Sequence, residues 1–331
     1  MRDFTFVALT YNHEKYILEH LESIKFLIEN YGQNINFEII IADDASKDNT
    51  VLLAQKWLNM NAKLFNNSMV LSDGINKGTC KNFTSAIARI SSQHCKVTAG
   101  DDIYSYENLF EAYHEMDKYH LMSGVPLNLI GNTIQPTLFN LFNLIATDCI
   151  YQSIDYSNSL KFINFFNAPN FLHNIEVLKN QTVIEFVNQF AVTEDYPFLI
   201  KASEVFKPFK YKLNLKTYVY YRRTSNSTYI MKNDLFVEDK LRLFTYLVDS
   251  ETNLFRRAIL LNRRFCFNLK NRYLKKMLNI GIYLYASLIL LNFIKIYHFF
   301  SRNDNDVWPH QTHFNLILNS ALTYNQKEMT D

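Results

Sequence analysis

Apolar residues in the first third of the chain follow two alternating rhythms. Short runs rich in apolar and β-branched residues, Phe4–Leu9, Phe37–Ala42, Met69–Leu71 and Cys95–Ala99, have the length and make-up of buried strands. Between them, apolar positions recur at helical spacing. Ile17, Leu21, Ile24, Ile28 and Tyr31 mark one helix, closed by Gly32 as its C-cap. Thr50–Asn59, Lys81–Ile90 and Ser105–His120 mark three more. Strands alternating with helices predict an α/β fold, a mostly parallel sheet covered on both faces.

The middle of the chain is less regular. Leu127–Gly131 reads as a strand, Leu138–Ile145 and Glu194–Ser203 as helices, and Thr217–Tyr221 as a strand. From Asn233 onward the pattern is helical, so we expect a core over residues 1–230 and a helical region over 231–331. Within the latter, Leu278–Phe300 is apolar and aromatic, interrupted by Asn292, Lys295 and His298. Its unbroken part, Ile280–Leu291, is shorter than the ~20 residues that span a bilayer. Just before it lies a basic stretch with Arg256, Arg257, Arg263, Arg264, Lys270, Arg272, Lys275 and Lys276. Basic residues beside an apolar, aromatic helix predict docking on an anionic membrane surface. The plainer alternative is a helix packed on the protein's own core.

Composition narrows the picture. Hydrophobic residues make up 48% of 331, enough for a sizeable core and against wholesale disorder. A net charge of +2 is too small for general nucleic-acid affinity. Cys80, Cys95, Cys149 and Cys266 are too scattered for a zinc or redox motif and read as reduced thiols of a cytosolic protein. The chain enters its first strand at Phe4 with no basic and apolar leader before it, so no signal peptide is expected.

Candidate chemistry sits at the ends of the predicted strands. Thr10-Tyr11-Asn12, Asp43-Asp44-Ala45-Ser46 and Gly100-Asp101-Asp102 each follow a strand, and Glu194-Asp195 opens a predicted helix. Open α/β sheets take their ligands just beyond strand C-termini. Carboxylates there are costly to desolvate and usually hold a cation or a ligand hydroxyl. Taken singly, each has an ordinary alternative as a turn, a cap or an acidic helix N-terminus.

In this order, Val7–Glu14, Ile41–Thr50, Thr98–Asp102 and Glu194–Pro197 resemble the signatures of family 2 glycosyltransferases, over roughly residues 4 to 230. The resemblance implies a GT-A fold and inverting transfer from a nucleotide-activated sugar. It places Thr10 and Tyr11 at the wall of the nucleotide base, with Tyr11 able to stack on uracil, and Asp44 as acceptor of a hydrogen bond from the base. Glu14 and Lys77 are expected near the nucleotide, Glu14 having a helix-terminus role as its alternative. Asp101 is expected at the ribose or metal shell, and Asp102 as ligand of Mn²⁺ or Mg²⁺. Asp195 is expected to deprotonate the acceptor hydroxyl. Tyr221–Ser227 resembles a late segment that closes over the diphosphate, where Arg222 or Arg223 can pair with phosphate. Thr224 stands near the family's usual His, and Ala99 and Gly100 stand where an acidic residue is common.

The expected partners are therefore a nucleotide-sugar donor, most simply a UDP-sugar, and a saccharide or lipid-linked glycan acceptor. No nucleic acid is expected. The expected setting is cytoplasmic, peripheral on the inner face of a bacterial inner membrane, in lipopolysaccharide, lipooligosaccharide or capsule synthesis. Two rivals are a nucleotidyltransferase, which would carry a Gly-rich phosphate loop after the first strand, and a catalytically degenerate glycan-binding relative.

Overall fold

A computed structural model describes residues 2–152, 154–163, 165–224, 234–301 and 306–328. Among the described residues eleven strands form two sheets. They are β1 (Arg2–Thr10), β2 (Ile35–Asp43), β3 (Asn67–Leu71), β4 (His94–Ala99), β5 (Ile103–Tyr104), β6 (Leu121–Ser123), β7 (Leu127–Ile130), β8 (Thr133–Pro136), β9 (Phe171–Asn174), β10 (Tyr211–Leu213) and β11 (Val219–Arg222). The larger sheet has the order β10-β6-β9-β4-β1-β2-β3, and the smaller β5-β11-β7-β8. In the larger sheet β4, β1, β2 and β3 are parallel, and β9 runs antiparallel to β4 and β6.

The register of these strands positions the site. Thr10 pairs with Asp43, and Leu9 with Ala99. The segments that follow β1, β2 and β4 therefore leave the sheet along one edge. Side chains alternate across the sheet. Val7 and Ile40 enter one core cluster with Ile87 and Leu199, while Phe6, Ala8, Ile39 and Ile41 enter another with Ile24, Leu27 and Trp57.

Both clusters draw in the C-terminal helices. Leu243, Leu247 and Leu260 complete the first, and Ala321 and Tyr324 join the second. These come from the helices Asp234–Asp249, Leu254–Asn268 and Trp308–Glu328. The division expected at residue 230 thus does not coincide with a break in packing; the boundary itself lies outside the described residues, as do Ser225, Asn226 and Ser227.

One expectation changes and one is met in a different way. The single helix over Ser105–His120 is instead a short helix Leu109–Ala112 and a 3₁₀ segment Tyr113–Lys118, reached from β5 by a non-helical stretch. Long-range hydrogen bonds override the local helical pattern: the Ser105 N–H donates to Tyr218 O (2.9 Å), and its hydroxyl pairs with Thr217 O. Asn108 then caps the short helix through the Phe110 and Glu111 N–H groups (3.1 and 3.2 Å). Gly32 does cap its helix, but at φ −82, not in the left-handed region. Space is what demands glycine, since a Cβ would lie 2.4 Å from Ile28 O and 2.7 Å from the Phe37 ring.

Candidate active site

The loops after β1 and β2 are laced together. Asn12 (φ 55) and Ala45 (φ 64) both adopt left-handed backbone, a cost that persists only where the surroundings impose it. The Asn12 N–H donates to Ser46 Oγ (2.8 Å), and Asn12 Oδ1 accepts from the Lys47 N–H (2.8 Å). Asp43 accepts from Thr10 Oγ1 (3.0 Å), the Ser46 N–H (2.8 Å) and Ser72 Oγ (3.2 Å). Asp44 accepts from the backbone N–H groups of Lys77 (2.6 Å) and Gly78 (3.0 Å), clamping the next loop onto this one. Glu14 accepts from the Asn49 N–H (3.0 Å).

The edge beyond β4 is tighter. A Cβ at Gly100 would lie 2.6 Å from Thr10 Cγ2, so a carboxylate side chain has no room there. Asp101 is partly open and faces His13 (Nε2–Oδ1 4.0 Å). Asp102 is only 2% exposed; its Oδ1 accepts from the Arg222 N–H (2.8 Å), and its backbone O accepts from His20 Nδ1–H (2.7 Å). Burial holds the His20 ring near a pKa of about 4, hence neutral at pH 7. Burial, and then the charge of Asp101, push the Asp102 carboxyl well above its ordinary range. A cation would relieve both effects.

Among the described residues no group of three or more His, Cys, Asp or Glu converges on one point. The protein's contribution to a metal would be Asp101 and Asp102. That donor set fits a hard divalent ion that shares its shell with a diphosphate and water, the usual Mg²⁺ arrangement.

Glu194 and Asp195 open the helix Asp195–Val205. Burial raises Asp195 to about 6, while Lys240 and a hydrogen bond from Glu194 pull it back down. Burial, and then the charge of Asp195, push the Glu194 carboxyl well above its ordinary range, so the two acids titrate together. The preceding loop is fixed by Asp239, on the helix Asp234–Asp249. Its carboxylate accepts from the N–H groups of Ala191 (3.0 Å), Val192 (2.8 Å) and Thr193 (3.0 Å) and from Thr193 Oγ1 (3.2 Å). The same loop meets the donor-side loop, where the Cys80 N–H donates to Ala191 O (3.2 Å) and a Cβ at Gly78 would lie 2.7 Å from that oxygen. Beneath lies Lys96, wholly buried, donating to Val97 O and Pro169 O (2.8 Å each). Burial lowers its pKa to about 7, and Asp102 and Asp195 both act on its charge.

The structure thus gathers the expected residues but divides their roles. Tyr11 is 44% exposed at the mouth, and Asp101 is partly open. Thr10 and Asp44 are buried, with their side-chain oxygens engaged in holding the loops, and Glu14 is likewise bound to the start of the helix Thr50–Met60. The Lys77 ammonium pairs with Asp73. Arg222 departs from expectation. Its guanidinium is buried, pairs with Glu19, donates from Nε to Asp101 O (2.6 Å) and lies 4.5 Å from the Tyr16 ring, so it braces β11 and is not free to meet a phosphate. Asp239, Lys240 and Lys96 were not expected. Asp239 carried a usable signal, because it shares a helix face with Leu243 and Leu247, where an acidic residue needs partners.

An open sheet with acidic motifs along one edge is the architecture of the GT-A nucleotide-sugar transferases, and solved structures of that class superpose on it. Staphylococcus aureus TarS 1–349 in complex with UDP matches with a TM-score of 0.54 at 20% identity, over 82% of this chain and 74% of that one. Mannosyltransferase PcManGT from Pyrobaculum calidifontis, in complex with GDP-Man and Mn²⁺, matches with a TM-score of 0.55 at 12% identity, over 96% and 86%. These likenesses establish the fold. In sequence, residues 5–139 match the model for glycosyl transferase family 2. A curated relative, poly(ribitol-phosphate) β-N-acetylglucosaminyltransferase TarS of Staphylococcus aureus strain Mu50, is 29% identical over 121 residues. That match covers 36% of this chain and 20% of the relative's length.

Proposed function

We propose that the chain is an inverting glycosyltransferase that moves a sugar from a UDP-sugar to a hydroxyl of a glycan or lipid-linked glycan. The observation that carries this reading is the Glu194–Asp195 pair, half-buried at a helix start, with the loop before it locked by Asp239, and sharing the field of Lys96 with Asp102. In the reaction, Asp195 takes the proton of the acceptor hydroxyl as its oxygen bonds to the anomeric carbon. The bond from that carbon to the diphosphate oxygen breaks, and the nucleoside diphosphate leaves with the electron pair. Attack opposite the leaving group inverts the centre. Asp101 and Asp102 would hold Mn²⁺ or Mg²⁺ against the diphosphate, where a divalent ion neutralises the departing charge. Tyr11 offers its exposed ring to the base, and Asp44 sets the loop against which the nucleotide lies.

Support for a uridine nucleotide comes from the TarS structure solved in complex with UDP, and support for a glycan-type acceptor from the partial relative, whose name describes N-acetylglucosamine transfer to poly(ribitol-phosphate). A lipopolysaccharide, lipooligosaccharide or capsular acceptor, met at the cytoplasmic face of the inner membrane, is the pathway we favour. Saturation-transfer NMR with a panel of nucleotide sugars tests the donor: UDP-sugars should bind and other nucleotide sugars should not. Binding of GDP- or CMP-sugars in their place would overturn the assignment.

A further inference from the structure

Residues 254–301 build a surface that sugar transfer does not use. The helix Leu254–Asn268 faces the core through Ile259, Leu260 and Cys266. On its opposite side Leu254, Ala258, Leu261 and Phe265 recur at helical spacing and are all exposed. Arg257 and Arg264 run along the edge of that stripe. A surface helix ordinarily turns its polar side outward; this one is apolar on both sides.

The next helices go further. Ile280–Leu291 is apolar all round, yet none of its residues is fully buried. Asn262 pins its start, accepting from the Ile280 N–H (2.9 Å) and donating to Leu278 O (3.0 Å). Tyr285 ties its middle to Asn143 Oδ1 (3.0 Å). It bends by 74° into Phe293–Ser301, whose Ile296 is buried. The pair is thus anchored on one side and bare on the other, with Leu291 81% and Ile294 84% exposed. Among the described residues no single helix is long and apolar enough to cross a membrane.

Charge decides what covers this face. No Asp or Glu occurs from Thr252 to Ser301, while Arg257, Lys270, Arg272, Lys276 and Lys295 are basic and largely exposed. A second copy of the chain would bring like charges together, whereas an anionic bilayer complements them. Apolar side chains ringed by basic ones, on helices too short to span, lie in the plane of the headgroup–acyl boundary.

We propose that the face formed by residues 254–301 seats on an anionic bilayer leaflet, with the bent pair Ile280–Leu291 and Phe293–Ser301 in the interface and the basic residues on the headgroups. Its test is independent of catalysis. The full chain is sedimented with vesicles of phosphatidylcholine alone or mixed with phosphatidylglycerol. It should pellet with the mixed vesicles at low salt, far less with the neutral ones, and be partly released by added salt. Arg272→Gln and Lys276→Gln should each lower the partition coefficient about fivefold at low salt. Leu290→Asp with Leu291→Asp should weaken binding to both vesicle types while leaving the melting curve and nucleotide binding unchanged. Equal recovery in the supernatant with and without anionic lipid would overturn the proposal. So would variants that pellet like the parent, or a stable dimer in solution that ignores vesicles.

Discussion

Asp43 and Asp44 accept hydrogen bonds from side-chain and backbone donors of three loops, whereas Glu194 and Asp195 crowd each other at a half-buried helix start, each raising or tuning the other's affinity for a proton. The two pairs look alike in sequence. A carboxylate whose lone pairs are filled by N–H and O–H donors holds a shape. A carboxylate raised by burial and by a neighbouring acid is poised to exchange a proton near neutral pH. On the proposed reading, the first pair builds the donor pocket and the second supplies the reactive group.

The largest expected effect tests the reactive pair. Asp195→Asn should reduce turnover by ~10²–10⁴ while UDP-sugar affinity stays near that of the parent. Near-normal turnover would remove the distinction between the pairs. Next is Asp239→Ala, which strips three backbone N–H groups of their acceptor. Leaving buried donors unpaired costs ~1–3 kcal/mol each where water cannot replace the partner. A lower melting temperature together with reduced kcat is expected; an unchanged melting curve would show that the loop is held by other means. Asp44→Ala should weaken UDP binding in calorimetry by ~1.5–3 kcal/mol, the range for hydrogen bonds to a charged group. Because Asp44 clamps the Lys77–Gly78 loop, the loss should extend to other nucleotides; a loss confined to uridine nucleotides would mean that the carboxylate reads the base directly.

The smallest effect concerns pH. Asp195 ionises near 6, so kcat/KM should climb as pH rises through that region and level off above it. Lys240 favours the ionised form, and Lys240→Gln should move the climb to higher pH. An unmoved limb would separate Lys240 from the base. The sign for stability is opposite. With its pKa above the ordinary 3.8, the folded state binds this proton more tightly than the unfolded chain. Protonation of Asp195 therefore favours folding, and its contribution declines as pH rises from 3.8 toward about 6.

Much of the N-terminal half was legible because buried parallel strands announce themselves. β1 and β2 extend the apolar runs by one or two residues at each end and β4 by one residue at its start, and the helix Ile17–Tyr31 matches its periodic stretch. The motifs fell at one sheet edge because the register puts them there. The short strands β6, β9 and β10 left no periodic trace; each has only three or four residues, and the pairing of β6 with β9 joins segments far apart in sequence. Site residues were legible as positions and less so as roles. Nothing around Tyr221-Arg222-Arg223 indicates that Glu19 lies across from Arg222 and occupies its guanidinium. Likewise the apolar stretch after Leu278 is plain in sequence, but its bend and its bare outer side are properties of packing.

The peptide at Ala191 has its N–H held by Asp239 and its carbonyl held by the Cys80 N–H, at the start of the helix that follows the Asp44-clamped loop. A joint of this kind bears on the order in which substrates arrive. Two pockets without mechanical connection would fill in either sequence. On the proposed reading, a nucleotide seated against the Asp44-clamped loop would act, through Cys80 and Ala191, on the segment carrying Asp195, and the donor would prepare the place where the acceptor is received. The expected kinetic scheme is compulsory order, nucleotide sugar first and nucleoside diphosphate last to leave. In product-inhibition experiments UDP should then compete with the donor and not with the acceptor. Random-order patterns would mean that the Ala191 joint carries no signal between the two pockets.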